Sequence, residues 1–405
     1  MHRLPRLQVH QEDAAKDRRD LPVVRPGRAR PAPRPWPVHL LWLRALPRVH
    51  LHGSRAAREG GGGRARRRGP GSLTLRATPV PAGDGAAWDE LVRATGRPHL
   101  LQSAGWAAVK AATGWMPRRF VIEDGPRRAG VAQVLLRSLP LGITAAYAPR
   151  GPLVESADFP DALRAIGAAL KAERCASLLA DPELSPSPEL GAALARSGAR
   201  PAGIFVQPRR TLLMDLTRTP EDLLRAMRKK TRQYIHKAER EGVVTEETRD
   251  VDRFLGVLSK VAARDRFAVH DRAYFVRLLA TFGDAAHLTM SRVGPEDDGA
   301  LLAIHIGDRA WELYGGWSGA HGESRPFYLL KWRSLMGMKR RGVARYDMWG
   351  LSEHAGDELA GIENFKLGFG GEVTTWIGAF DRPVVAPLYP LWRIAGRRRL
   401  AASAR

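Results

Sequence analysis

Two hydrophobic rhythms alternate along this chain: stretches with apolar residues every third or fourth position, and shorter runs of alternating or continuous apolar residues. Trp88 to Val92 reads as a short helix, and Ser103 is placed to cap a second one carrying Trp106, Val109 and Lys110, which Gly114 ends. Phe120–Ile122 and Gly130–Leu136 predict a hairpin about Asp124-Gly125, and Thr144–Ala148 predicts another strand. Helical patterns at 162–172 and 189–196 flank a strand-like Ser177–Ala180. Strands and helices interleave, so the class is α/β with mixed sheets, an α+β-like arrangement rather than a helical bundle.

The second half has the same grammar. Arg210–Leu216 predicts a strand, and Thr219-Pro220-Glu221-Asp222 predicts a helix start whose pattern runs on through MRKKTRQYIHKAEREGV. Helices over Val251–Ala263 and HDRAYFVRLLATF lead to a meander at 286–293, 301–307 and 309–316, then a helix over about 326–341. The last motif is YDMWGLSEHAGDELAGIENFKLGFGGE, residues 346–372. It reads as a strand, a polar insert and a tight turn in which Lys366 sits between Phe365 and Phe369 beside glycines. Such a turn suits an anionic or acyl ligand, or is a plain turn with a solvated lysine.

Composition changes this picture mainly at the N-terminus. The net charge of +23 is unevenly spread: residues 1–72 hold 17 Lys and Arg against five acidic residues. That segment has many prolines, GGGGRARRRGPG-like low complexity from residue 60, and no sustained period, so it is expected to be a disordered basic arm. An alternative is a start site assigned too early, with Leu73 or Val80 nearer the true start. One cysteine, Cys175, excludes a disulfide framework and makes a reducing, cytoplasmic compartment the default. No apolar run approaches the roughly 20 residues of a membrane-spanning helix.

The basic face of the helix at 228–240, with Lys229, Lys230, Arg232, Lys237 and Arg240, suits phosphates or is a solvated face. His305, His321 and His354 are too dispersed for a metal site, and no Walker or dinucleotide glycine pattern is present. Gln133–Arg137 lacks the pyrophosphate-binding Q/RxxGxG/A signature, which disfavours acyl-CoA as a donor.

Several stretches, in order, resemble one family: Gln102-Ser103…Gly105-Trp106…Val109-Lys110, the Arg-Lys-Lys-Thr-Arg helix from residue 228, Arg272-Ala273-Tyr274-Phe275, Trp311…Tyr314-Gly315-Gly316, Tyr346-Asp347…Gly350, and Phe365-Lys366…Phe369-Gly370-Gly371. Over about residues 99–392 the chain resembles the FemABX aminoacyltransferases, in a short form without the coiled-coil arm of some members. The resemblance implies two tandem acetyltransferase-like (GNAT) subdomains, one over 73–207 completed by 376–405 and one over 208–375. It implies transfer of an amino acid from aminoacyl-tRNA to the stem peptide of a lipid-linked or UDP-linked peptidoglycan precursor, with no metal or cofactor and no DNA partner. By matching position, Lys366 would act at the tRNA acceptor end. Lys110 and Arg272 would hold precursor phosphates, with Trp106 beside them. Trp311, Tyr314 and Phe365 would line the acyl site, and Lys229, Lys230 and Arg232 would meet tRNA. Such an enzyme is expected in the cytoplasm, with peripheral contact at the inner membrane face. Asp181 and Asp347 are the candidates for a general base. The alternatives are an acyl-CoA N-acyltransferase of GNAT type and a non-catalytic tRNA- or envelope-binding protein.

Overall fold

The computed structural model describes residues 75–81, 83–202, 206–265, 269–352, 360–390 and 392–393. The expectations for the N-terminal arm, for His354 and for the polar insert at 353–359 fall outside the described residues. Two mixed sheets flanked by helices, one in each half of the described chain, give the α/β class that the sequence predicts.

The first sheet is built from β1 (Arg76–Val80), β2 (Met116–Asp124), β3 (Arg127–Ser138), β4 (Thr144–Ala148), the short β5 (Leu153–Val154), β6 (Cys175–Ala180) and β7 (Arg200–Pro201). Strands β1 to β4 form an antiparallel meander, and β4 then pairs in parallel with β6. Phe380–Pro383, from the far end of the chain, inserts antiparallel between β6 and β7. Helices α1 (Gly85–Arg93) and α2 (Ala104–Ala111) precede β2, while α3 (Phe159–Ala169) and α4 (Pro188–Ser197) surround β6. Ser103 caps α2 by accepting from the Trp106 amide at 3.1 Å, as its position predicts.

The second sheet repeats the plan with β8 (Arg210–Asp215), β9 (Val244–Thr248), β10 (Ala286–Val293), β11 (Glu296–Ile306), β12 (Arg309–Trp317), β13 (Arg345–Gly350) and β14 (Glu372–Thr375). Strands β9 to β12 form the meander, and β12 pairs in parallel with β13 over Arg309–Trp311 and Arg345–Asp347 only. A bulge after Leu302 lets Glu312 and Tyr314 face opposite sides of β12. The helices are α5 (Pro220–Ala226), α6 (Lys229–Arg240), α7 (Val251–Asp265), α8 (Arg272–Phe282), α9 (Pro326–Arg340) and α10 (Ala360–Leu367).

One departure from the sequence pattern matters for the site. The helix expected to run from Thr219 through residue 240 breaks at Met227 and Arg228, whose ψ angles of 152° and 143° are extended. The break is set from outside: the Arg228 amide donates to Gly368 O at 2.9 Å. The Arg232 guanidinium satisfies carbonyls that the broken helix leaves orphaned, those of Leu224, Arg225 and Met227. A second departure is that Phe365 and Lys366 lie on the last turn of α10, not in the glycine turn, which follows them. Gly370 and Gly371 adopt φ of 79° and 94° and press against the Ala226 carbonyl and the Leu213 carbonyl. Side chains there would be strained and would collide with backbone.

Leu100, Leu101, Trp106, Val109 and Leu135 of the first half share one apolar core with α7, α8 and the facing side of the second sheet. The opposite side of that sheet packs against α5, α6 and α9. The candidate functional side chains divide between these two sides.

Candidate active site

Lys366 is buried, with 8% of its surface exposed, and its Nζ donates to the carbonyl of Gly350 at 2.8 Å. Gly350 ends β13, beyond the residues at which β13 and β12 pair, so the ammonium reaches a strand carbonyl at the site where two parallel strands have separated. Burial lowers its pKa from the ordinary lysine value to about 8, a shift opposed by the nearby Glu312 carboxylate and reinforced by Lys331.

Around it stand groups that the sequence did not flag. Lys331, on an otherwise apolar stretch of α9, is 1% exposed and ion-pairs with Glu312 of β12. The Tyr346 hydroxyl donates to the second oxygen of Glu312 at 3.2 Å. Lys331 also lies 5.3 Å from the Phe327 ring centroid and 5.8 Å from that of Phe365. Phe365 stacks on Phe327 at 5.3 Å and meets Tyr328 and Phe369 edge-on, and Tyr328 meets Tyr234 of α6. A lone lysine amid Leu329, Leu330 and Trp332 was the available signal, because such a cation needs a buried partner.

On the other side of the second sheet, Lys110 is 2% exposed and its Nζ makes no hydrogen bond. It sits 4.6 Å from the Trp106 ring centroid and 5.4 Å from that of Tyr274, a cation–π pair of contacts. Burial, then the charge of Arg137, lower its pKa to about 7. The Tyr274 and Tyr314 hydroxyls are 3.0 Å apart, and His270 stacks on Tyr274 at 3.7 Å. Burial, with a smaller contribution from Lys110, holds His270 low, at about 3.

The structure therefore gathers Lys110, Trp106 and Tyr314 on one side of the sheet, and Lys366 and Phe365 on the other. Trp311 lies fully buried on the Tyr314 side, 4.9 Å from His99, so it does not meet Phe365. Arg272, on the same helix as Tyr274, is exposed and clamps Asp252 bidentately at 2.7 and 2.9 Å. Lys229 and Lys230 are exposed on α6, with Lys230 5.7 Å from the Tyr234 ring centroid. Arg232 is turned inward to the helix break.

Both candidate bases are buried. Asp181 accepts from the Tyr147 hydroxyl and the Arg150 amide, each at 2.7 Å. Asp347 accepts from the Trp349 amide at 2.7 Å and from the Thr211 hydroxyl. Burial raises each to about 6, for Asp347 with help from Glu183. Gln133 is fully buried, its amide donating to Ser103 O at 2.8 Å, which is a core role and not a pyrophosphate loop. Among the described residues no group of three His, Cys, Asp or Glu could hold a metal ion, and no helix is long and apolar enough to cross a membrane.

A family model described as the FemAB family matches residues 86–187, 199–297 and 299–397, well over half of the chain. This chain belongs to the FemAB family. Among FemAB relatives, it is 22% identical over 386 residues to a lipid II:glycine glycyltransferase of Staphylococcus saprophyticus, covering 75% of this chain and 93% of the relative. It is 26% identical over 324 residues to a UDP-N-acetylmuramoylpentapeptide-lysine N(6)-alanyltransferase of Weissella viridescens, covering 75% and 94%. A crystal structure of FemX superposes with a TM-score of 0.68 at 20% identity, covering 76% of this chain and 98% of that one, which shows the shared FemAB fold.

Proposed function

We propose that this chain moves an amino acid from aminoacyl-tRNA to an amine on the stem peptide of a peptidoglycan precursor, so building the interpeptide bridge. The observation that carries the reading is the buried, desolvated ammonium of Lys366 at the aromatic end of α10, in a chain whose relatives are glycyl- and alanyltransferases.

The acceptor amine attacks the ester carbonyl of the donor, a carbon–nitrogen bond forms, and the bond to the ribose oxygen breaks. The amine's proton ends on the departing ribose hydroxyl, directly or through a base. Negative charge develops on the carbonyl oxygen and then on the ribose oxygen, and a fixed cation in a site poor in water stabilises both. Lys366 is that cation; Phe365, Phe327 and Tyr328 offer ring faces to a nucleobase or acyl group. Lys110, Trp106 and Tyr274, with Arg272 on the adjoining helix, form the precursor side, and an arginine fork suits a diphosphate once Asp252 is displaced. Asp181 and Asp347, raised toward neutrality by burial, are the groups suited to accept the amine's proton. The enzyme works in the cytoplasm, meeting lipid-linked precursor at the inner membrane face, with Lys229 and Lys230 on tRNA phosphates.

The test is a transfer assay with a pool of radiolabelled aminoacyl-tRNAs and both lipid-linked and UDP-linked muropeptides, the product identified by mass. Label on one precursor is the expected result. No transfer, with acyl-CoA consumed in its place, would assign the chain to acyl-CoA chemistry.

A further inference from the structure

A cavity of about 290 Å³ lies between the two halves, with neither Lys366 nor Lys110 in its wall. Four arginines line it: Arg97, Arg150, Arg309 and Arg345. Two carboxylates, Glu183 and Asp347, share the wall, with apolar surface from Pro152, Leu213 and Trp376.

The charges do not cancel. Arg309 is matched by Glu183 at 2.9 Å, and Arg97 by Glu155 outside the cavity at 2.7 Å. Asp347 is engaged by Thr211 and by the Trp349 amide. Arg150 is 3% exposed; one guanidinium nitrogen donates to Pro208 O at 2.8 Å, while its Nε is buried with no acceptor. Arg345 is exposed, and its side chain meets no acceptor among the described residues. The indole Nε1 of Trp376 is also buried without an acceptor. The two buried donors without an acceptor, Arg150 Nε and Trp376 Nε1, are costly because a desolvated donor forfeits its bond to water, and the exposed Arg345 adds an unpaired positive charge beside them.

We propose that this cavity binds a carboxylate, the C-terminal carboxylate of the acceptor's peptide, and so helps to fix the acceptor in register for transfer. A planar two-oxygen anion matches a guanidinium fork and leaves an edge for an indole N–H. The small volume and the Pro152 and Leu213 walls favour the end of a short peptide with a small apolar side chain over a phosphate carried on bulky sugar. The identity of the peptide rests on the function proposed above; the carboxylate preference rests on the cavity alone.

Two measurements on the full chain separate these. The first compares binding of a UDP-linked muramyl pentapeptide as its free acid and as its C-terminal amide, by calorimetry. The second follows thermal protection by malonate, with inorganic phosphate as a control. The variants are Arg345→Ala and Trp376→Phe, the latter removing the N–H while keeping a ring. In the unaltered protein the acid is expected to bind about tenfold or more tighter than the amide, and the ratio should fall toward one in both variants. Malonate should protect the unaltered protein and not the variants. Equal affinity for acid and amide, with no malonate effect, would overturn the site and leave the transferase reading intact. Malonate protection that both variants abolish, with neither precursor bound, would uphold the site and remove the peptidoglycan acceptor. Protection by phosphate and not by malonate would overturn the carboxylate assignment.

Discussion

Lys366 of α10 donates to the Gly350 carbonyl of β13 at 2.8 Å, which ties this buried cation to a strand end and not to a carboxylate. A carbonyl orients an ammonium without cancelling its charge, so the charge stays available to a developing oxyanion. With the pKa lowered to about 8 by burial, the protonated fraction falls as pH rises through that value. The turnover rate at saturating substrates should therefore decline above about pH 8. Lys366→Ala should lower kcat by roughly 10²-fold or more, as when an oxyanion donor is removed. A rate that stays level to about pH 9.5 would show that the charge of Lys366 is not what the reaction uses.

The Glu312–Lys331 pair predicts a different kind of loss. Both side chains are buried, so removing one leaves an uncompensated charge in the core. Glu312→Ala should destabilise the fold by about 3–5 kcal/mol in denaturant unfolding. Replacing both, Glu312→Gln with Lys331→Met, should recover much of that stability, because no lone ion remains. Recovery of stability without recovery of turnover would show that the pair also shapes the field at Lys366. A double variant no more stable than Glu312→Ala would refute the ion-pair account.

The arginine and lysines of α6 separate by role in the same way. Arg232 caps the carbonyls exposed by the helix break, so Arg232→Ala should lower stability by about 1 kcal/mol and scarcely alter the salt dependence of tRNA binding. Lys229→Glu and Lys230→Glu should leave stability within about 0.5 kcal/mol. They should also flatten the slope of log affinity against log salt by roughly 0.7–0.9 for each phosphate that is no longer neutralised. Filter binding over a salt series, beside unfolding curves, reads both. An unchanged slope for the lysine variants would take the tRNA surface elsewhere.

These contrasts show where the sequence was legible. Strands such as Thr144–Ala148 and helices such as α4 and α7 carry their own periods, and the ordered motifs around Lys110, Tyr314 and Lys366 carried the family. The break between α5 and α6 was not legible, because Gly368 and Gly370, more than a hundred residues away, impose it on a locally unbroken helical pattern. Nor was the pairing of Glu312 with Lys331, which depends on how α9 crosses β12. Phe365 and Trp311 both looked like acyl-site residues, yet they lie on opposite sides of the second sheet, and no local pattern specifies which side a neighbouring helix will occupy.

Lys110 offers a prediction whose sign can be worked out in advance. Its folded pKa is about 7, against an ordinary lysine value of about 10.5, with burial the largest cause. Between those values the unfolded chain holds a proton that the folded chain has released, so stability should rise as pH increases from about 7 toward 10, and Lys366 adds to the rise from about 8. Lys110→Met keeps the contacts with Trp106 and Tyr274 and removes the titration. It should be more stable than the unaltered protein near pH 7, and its stability should climb less with pH over the same window, as read by urea midpoints at several pH values. If Lys110 also meets precursor phosphate, the variant should bind the UDP-linked muropeptide at least about tenfold more weakly while remaining folded. A variant less stable at pH 7 would mean that the folded protein gains more from the cation–π contacts than it loses by burying the charge.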